Sequence, residues 1–226
     1  MQEGALIIDY IGHGGARGWA HERILNTTTI REWTNKTRLP VFMTATCELS
    51  RYDDPEVESA GEMLIFNPDG GSVGMLTTTR TVFSGGNQEL NTAFFKTVLD
   101  EDSGTGQMRC LGDICKDTKN SPEVTSVTNM RNFSLLGDPA MLLAYPAYNV
   151  FFTEIPDTIR SLDLVKMKGY VGTSSGDTLE EFNGQIYPTV FDKRSELSTL
   201  DNDDVAGEFN YTMYRNVIHK GLASVV

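Results

Sequence analysis

The chain has 226 residues, a formal net charge of −12 and a hydrophobic content of 39%. This length fits one large or two small domains, and the apolar content can supply a packed core. The acidic balance argues against a nucleic-acid partner, because phosphate contacts need a basic face. No apolar run approaches the roughly 20 residues that a membrane-spanning helix needs.

The first 148 residues alternate between strand-like and helix-like segments. A continuous apolar run predicts a strand over 5–11, and we expect further strands over 41–46 and 72–78, with a strand-to-turn element over 135–140. Helical spacing predicts helices over about 20–35, 59–66, 87–99 and 108–119. This alternation is typical of βαβ units, so we expect residues 1–148 to form a three-layer α/β domain around a parallel sheet.

Residues 149–226 have a different pattern. Apolar and polar residues alternate over 162–167 and 184–190, with turn-forming residues at 174–177 and 201–204. Such alternation predicts antiparallel strands without helices. Because the segment is shorter than the roughly 100 residues of an immunoglobulin-like domain, we expect a truncated β-sandwich.

A histidine and a cysteine follow the first two predicted strands. His13 lies after the strand over 5–11, and Cys47 lies after the strand over 41–46. The carboxyl ends of neighbouring parallel strands share one sheet edge, where open α/β sheets place their sites. A thiol and an imidazole that meet there can act as nucleophile and base. A buried cysteine and a turn histidine are the structural alternative.

A glycine next to His13 fits the same chemistry. Gly14 lets the backbone approach a substrate closely, so its N–H can face a developing oxyanion. The N–H of Cys47 is the natural second donor. We therefore predict an oxyanion hole formed by Gly14 and Cys47.

Three acidic residues crowd the loop after the cysteine, namely Glu48, Asp53 and Asp54. They could orient His13, recognise a cationic substrate or hold a structural calcium ion. A solvated acidic loop is the alternative, and the sequence predicts no other metal site and no organic cofactor.

The remaining cysteines and histidines fit structural roles better. Cys110 and Cys115 lie five residues apart on a predicted helix without ligand partners, which is a weak metal signal. His21 begins a predicted helix, and His219 lies in the β-rich segment. We expect Cys47 to be the reactive thiol.

A series of short motifs resembles the gingipain family of cysteine peptidases, which share the caspase fold. Two of them carry the candidate dyad, and the rest resemble the sortase-like branch of that family. The motifs are Tyr10–Gly15, Gly18–Arg23, Thr44–Glu48, Ser50–Pro55, Leu76–Arg80, Arg131–Pro139 and Phe182–Lys193. Taken in order they are specific, although each alone is modest.

The resemblance implies a catalytic dyad of His13 and Cys47, with Gly14 and the Cys47 amide as oxyanion hole. It implies a peptidase at the outer-membrane surface that removes the C-terminal signal domain from type IX secretion cargo. The cargo would pass from Cys47 to an amine of anionic lipopolysaccharide, alongside other type IX secretion components.

Both ends of the chain run into strand-like segments, so we expect a fragment of a longer protein. By the resemblance, residues 1–148 are the C-terminal part of the peptidase domain, and the acidic partner of His13 precedes Met1. A hydrolytic endopeptidase and a non-catalytic surface scaffold are the competing interpretations.

Overall fold

The computed structural model describes residues 4–160, 162–201 and 207–225, which divide into two compact units between Tyr145 and Pro146. The first unit contains five helices and seven strands. In chain order they are β1 (Ile7–Ile11), β2 (Gly14–Gly15), β3 (Gly18–Trp19), β4 (Leu25–Asn26), α1 (Thr27–Arg31), β5 (Val41–Ala45), α2 (Ala60–Phe66), β6 (Gly74–Thr78), α3 (Ser84–Val98), α4 (Leu111–Lys119), α5 (Val127–Asn132) and β7 (Phe133–Gly137).

A four-stranded sheet with the order β1-β5-β6-β7 forms the centre of the first unit. β1 pairs with β5 and β5 pairs with β6 in parallel, whereas β7 pairs antiparallel to β6. Every residue of β5 and β6 is buried, as expected for strands covered on both faces. The prediction of three parallel strands is therefore confirmed, and β7 makes the sheet mixed.

Helices cover both faces of this sheet. Val41, Met43 and Ala45 of β5 face a core shared with α3 and α4. Phe42 points the other way, into a core shared with α1 and α2. The period-2 alternation of side chains along one strand thus divides the apolar residues between two cores.

The predicted helix over 20–35 is wrong for most of its length. Residues 14–26 instead contain the antiparallel strands β2, β3 and β4, and α1 is only five residues long. Gly18 has a φ of +138° and lies against the carbonyl of Leu25, so a side chain there would overlap that oxygen. This close approach of two backbones favours a tight meander over a helix.

The second unit contains short antiparallel pairs. Its strands are β8 (Asn149–Glu154), β9 (Lys168–Gly172), β10 (Gly184–Ile186), β11 (Thr189–Phe191), β12 (Ser195–Ser198), β13 (Asn210–Met213), β14 (Val217–Lys220) and β15 (Ala223–Val225). They pair as β8–β9, β10–β15, β11–β14 and β12–β13.

The antiparallel pairing agrees with the alternation in the sequence, but a two-sheet sandwich is not seen among the described residues. The predicted strand over 162–167 does not form in its described part, because regular structure begins at Lys168. Much of the apolar surface in this unit stays exposed, including Phe152, Tyr187 and Phe209.

Candidate active site

The parallel pairing of β1 and β5 brings the histidine and the cysteine to one sheet edge. Ile11 lies opposite Ala45, and the N–H of Gly12 continues the ladder by donating to the Ala45 carbonyl at 3.3 Å. His13 and Cys47 each follow this matched pair by two residues. They therefore leave the sheet from adjacent strands at its carboxyl edge.

The backbone of His13 is fixed while its side chain stays exposed. Its carbonyl oxygen accepts hydrogen bonds from the Tyr10 hydroxyl at 2.7 Å and from the Ala20 N–H at 2.8 Å. The Tyr10 ring is stacked on Trp19, with 4.4 Å between ring centroids. These contacts anchor the main chain and leave the imidazole open to a substrate.

Gly14 lies tightly against the strand end that precedes the cysteine. A Cβ at this position would overlap the Thr46 hydroxyl and approach the Gly18 carbonyl to 2.9 Å. Gly14 lies opposite Trp19 in the ladder of β2 and β3. The neighbouring pair, His13 and Ala20, is hydrogen-bonded through the Ala20 N–H and the His13 carbonyl. Because hydrogen-bonded and non-hydrogen-bonded pairs alternate in an antiparallel ladder, the Gly14 N–H points away from β3. It therefore makes no ladder hydrogen bond to β3.

Cys47 is half-buried, and its thiol contacts the backbone of one residue, Val82, on the loop between β6 and α3. Its Sγ accepts from the N–H of Val82 at 3.5 Å and can donate to the Val82 carbonyl at 3.6 Å. An N–H that points at sulfur stabilises the thiolate, which is the nucleophilic form. Sequence reasoning missed Val82, since a backbone contact leaves no mark on residue type.

The acidic residues after Cys47 form ion pairs with arginines. The carboxylate of Asp53 accepts hydrogen bonds from both terminal nitrogens of Arg80. The Arg51 guanidinium lies 3.6 Å from the carboxylate of Glu48 and 3.3 Å from that of Asp54. The Arg80 guanidinium, chiefly through its hydrogen bonds, lowers the pKa of Asp53 to about 2. Within the described residues, no three His, Cys, Asp or Glu side chains are arranged to hold a metal ion.

The other cysteines and histidines do not directly follow β1 or β5 in the chain. Cys110 is the N-cap residue of α4 and contacts Asp113, whereas Cys115 is partly buried on the same helix, where desolvation raises its pKa. His21 is exposed in a turn, and His219 is exposed on β14.

Two asparagines of the first unit contribute to the site region without having been predicted. Asn87 of α3 donates to the Ala45 carbonyl, and Asn129 of α5 contacts Phe83, next to Val82. The sequence offers no signal for them, because their partners are 42 and 46 positions away.

A covered α/β sheet with a cysteine and a histidine at the carboxyl ends of adjacent strands suits cysteine-peptidase chemistry. The model of peptidase family C25 matches residues 1–144, and the chain belongs to this gingipain-like family of cysteine peptidases. No curated protein matches the chain.

Among the solved structures that resemble the chain, one supports the fold assignment. The complex of Porphyromonas gingivalis RgpB pro- and mature domains matches with a TM-score of 0.54 and 16% identity over 83% of this chain. The crystal structure of the Arg-specific cysteine proteinase gingipain R matches with a TM-score of 0.49 and 18% identity over 84% of this chain. The chain spans 43% of each of these matched chains. In the described part of the chain, no helix is long and apolar enough to cross a membrane.

Proposed function

We propose that the protein is a cysteine endopeptidase in which Cys47 is the nucleophile and His13 the general base. The observation that carries this proposal is the matched register of β1 and β5, which brings both residues to one edge two positions beyond Ile11 and Ala45. Membership of family C25 supports the same chemistry.

The residues at this edge suit acyl transfer. His13 takes the proton of the Cys47 thiol, and the sulfur attacks the scissile carbonyl carbon. The N–H groups of Gly14 and Cys47 donate to the oxyanion of the tetrahedral intermediate. When the C–N bond breaks, His13 returns the proton to the leaving amine, and the acyl group stays on Cys47 as a thioester.

We further propose that the whole protein acts as a sortase similar to PorU of the type IX secretion system. The ordered motifs of both units support this proposal, including Arg131–Pro139 and Phe182–Lys193. Its substrate would be secreted cargo with a C-terminal signal domain, at the outer-membrane surface. An amine of anionic lipopolysaccharide would attack the thioester, release Cys47 and form a new amide bond.

The dyad is tested in the complete protein on a cargo C-terminal domain. Cys47→Ala and His13→Ala should each abolish cleavage, whereas Cys110→Ala should leave it unchanged, as gel mobility and mass spectrometry of the cargo would show. Cleavage by Cys47→Ala would overturn the assignment of the nucleophile. Absence of cleavage by the unaltered protein would favour a non-catalytic scaffold.

Product analysis separates transfer from hydrolysis. With an amine acceptor present, transpeptidation adds the mass of the acceptor to the cargo and forms an amide, whereas hydrolysis leaves a free carboxylate. A free carboxylate as the sole product in the presence of lipopolysaccharide would contradict the sortase proposal and favour a gingipain-like endopeptidase.

A further inference from the structure

We propose that Asn129 and Asn87 are positioning residues for the nucleophile, because together they fix the Val82 backbone against the Cys47 sulfur. This inference rests on the proposed role of Cys47. Asn129 is fully buried and Asn87 is 7% exposed, although both carry polar amides. Buried amides of this kind need full hydrogen bonding, so their partners reveal what they hold in place.

The side-chain amide of Asn129 forms two hydrogen bonds with the backbone of Phe83, the residue that follows Val82. Its Oδ1 accepts from the Phe83 N–H at 3.1 Å, and its Nδ2 donates to the Phe83 carbonyl at 2.9 Å. Both backbone groups of Phe83 are thereby fixed to α5. The Val82 carbonyl and the Phe83 N–H share one peptide unit, so Asn129 fixes that carbonyl directly. The Val82 N–H that points at sulfur is one Cα away from this unit, so its direction is set through the same backbone.

Asn87 links the Asn129 amide to β5, the strand that precedes Cys47. Its Oδ1 accepts from Asn129 Nδ2 at 3.0 Å, and its Nδ2 donates to the Ala45 carbonyl at 3.0 Å. Ala45 is the last residue of β5, two positions before Cys47. The two amides therefore link the loop that contains Val82 to the end of β5. The distance between these two segments sets the contact between the Cys47 sulfur and Val82.

The surroundings leave these amides little room to move. Ser126 donates to Asn129 Oδ1 at 3.1 Å, and a Cβ added to Gly86 would come within 2.6 Å of the Asn129 amide. The carboxylate of Glu89 in turn accepts from the N–H groups of Thr125 and Ser126 at 2.7 and 3.2 Å. The start of α5 is thus fastened to α3, and Asn129 is held rigidly.

The chain offers a matched control at the other edge of the sheet. Asn35 is also buried, and its side-chain amide forms the same pair of hydrogen bonds with the backbone of Gly71. The Gly71 N–H donates to Asn35 Oδ1 at 2.9 Å, and Asn35 Nδ2 donates to the Gly71 carbonyl at 3.1 Å. Gly71 precedes β6, so these bonds lie near the amino ends of the strands. Replacing Asn35 removes equivalent bonds without touching the Cys47 region.

The test measures alkylation of Cys47 by iodoacetamide as a function of pH, with peptide mass spectrometry reporting that residue alone. Asn129→Ala should slow the reaction at neutral pH by about three- to tenfold, since one ordinary hydrogen bond has about this net weight. The rate profile should also move to higher pH. Asn35→Ala should leave both the rate and the profile unchanged.

Asn87→Ala provides a second variant in case Asn129→Ala fails to fold by circular dichroism. It keeps the hydrogen bonds to Phe83 but loses the bridge to Ala45, so a smaller change in the same direction is expected. An unmoved pH profile in the folded asparagine variants, or an equal change in Asn35→Ala, would overturn the proposal.

The measurement does not depend on turnover. If Cys47→Ala retained cleavage activity, the proposed function would fail, whereas the difference in alkylation between Asn129→Ala and Asn35→Ala would still decide whether the amides position the thiol.

Discussion

At the scale of single residues, the two neighbouring glycines after His13 differ sharply in their surroundings. A side chain at Gly14 would overlap the Thr46 hydroxyl, whereas a Cβ at Gly15 would meet nothing within 4 Å. Gly14→Ala should therefore displace the N–H that we propose for the oxyanion hole and lower kcat by about 10²-fold. Gly15→Ala should leave kcat nearly unchanged. Steady-state kinetics of the complete protein tests this, and equal effects would remove Gly14 from the oxyanion hole.

The ion pair between Asp53 and Arg80 gives a residue-scale prediction about pH. The pKa of Asp53 is lowered to about 2, chiefly by hydrogen bonds from Arg80. A lowered folded-state pKa stabilises the folded state above the unfolded pKa, which is about 3.9, and this contribution is lost as the pH falls through about 2. The gain is small, because both side chains are exposed.

Arg80→Met should return the titration of Asp53 towards its ordinary range. Nuclear magnetic resonance of the Asp53 carboxyl carbon across pH 1–6 measures this shift directly. A midpoint that remained near 2 in the variant would show that another group lowers the pKa.

At the scale of elements, α2 packs against the loop that follows Cys47. The N–H of Gly61 donates to the Leu49 carbonyl at 2.9 Å, and a Cβ on Gly61 would overlap the Ser50 hydroxyl. Gly61→Ala should therefore destabilise the fold by about 1–3 kcal/mol through overpacking. Gly85 of α3 has no neighbour within 4 Å of an added Cβ.

Gly85→Ala is the matched control for the packing of α2. Because alanine restricts the unfolded chain and favours helix, this variant should gain up to about 1 kcal/mol. Urea unfolding followed by circular dichroism compares the two variants. Destabilisation of similar size in both would show that helical glycines matter here for a reason other than the contact with Ser50.

The elements also show what the sequence could and could not predict. β5 is recognisable because Val41, Phe42 and Met43 form the apolar run that burial on both faces favours. β6 is buried as well, but its sequence Gly-Met-Leu-Thr-Thr carries a weaker apolar signal. The predicted helix over about 20–35 is wrong at 20–26, because the meander of β2, β3 and β4 depends on Gly18 meeting Leu25 and on Trp19 stacking on Tyr10. Local periodicity does not record such contacts.

The candidate site was likewise predictable only in part. The placement of His13 and Cys47 follows from strand ends, which apolar runs mark in the sequence. The contacts of Val82, Asn87 and Asn129 join segments far apart in the chain, so only the folded structure reveals them.

At the scale of the whole molecule, the segment after β7 completes the first unit. Leu143 is buried in the core beneath α3 and α4, and the Tyr145 hydroxyl donates to the Val98 carbonyl at 2.8 Å. The same segment supplies acceptors for the first turn of α4, since Leu111 N–H donates to the Met141 carbonyl at 2.9 Å. Helix N-terminal donors need such partners, so this segment belongs to the fold of the first unit.

Two truncated chains test this assignment. A chain that ends at residue 145 keeps Leu143 and the partners of α4, so it should unfold in one cooperative transition. A chain that ends at residue 138 loses the buried leucine and these hydrogen bonds, so its free energy of unfolding should be lower by about 2 kcal/mol or more. Urea denaturation followed by circular dichroism and tryptophan fluorescence compares the two. Equal midpoints would show that residues 139–145 only lie on the surface of the first unit, whereas loss of cooperativity at 145 would place its boundary further along the chain.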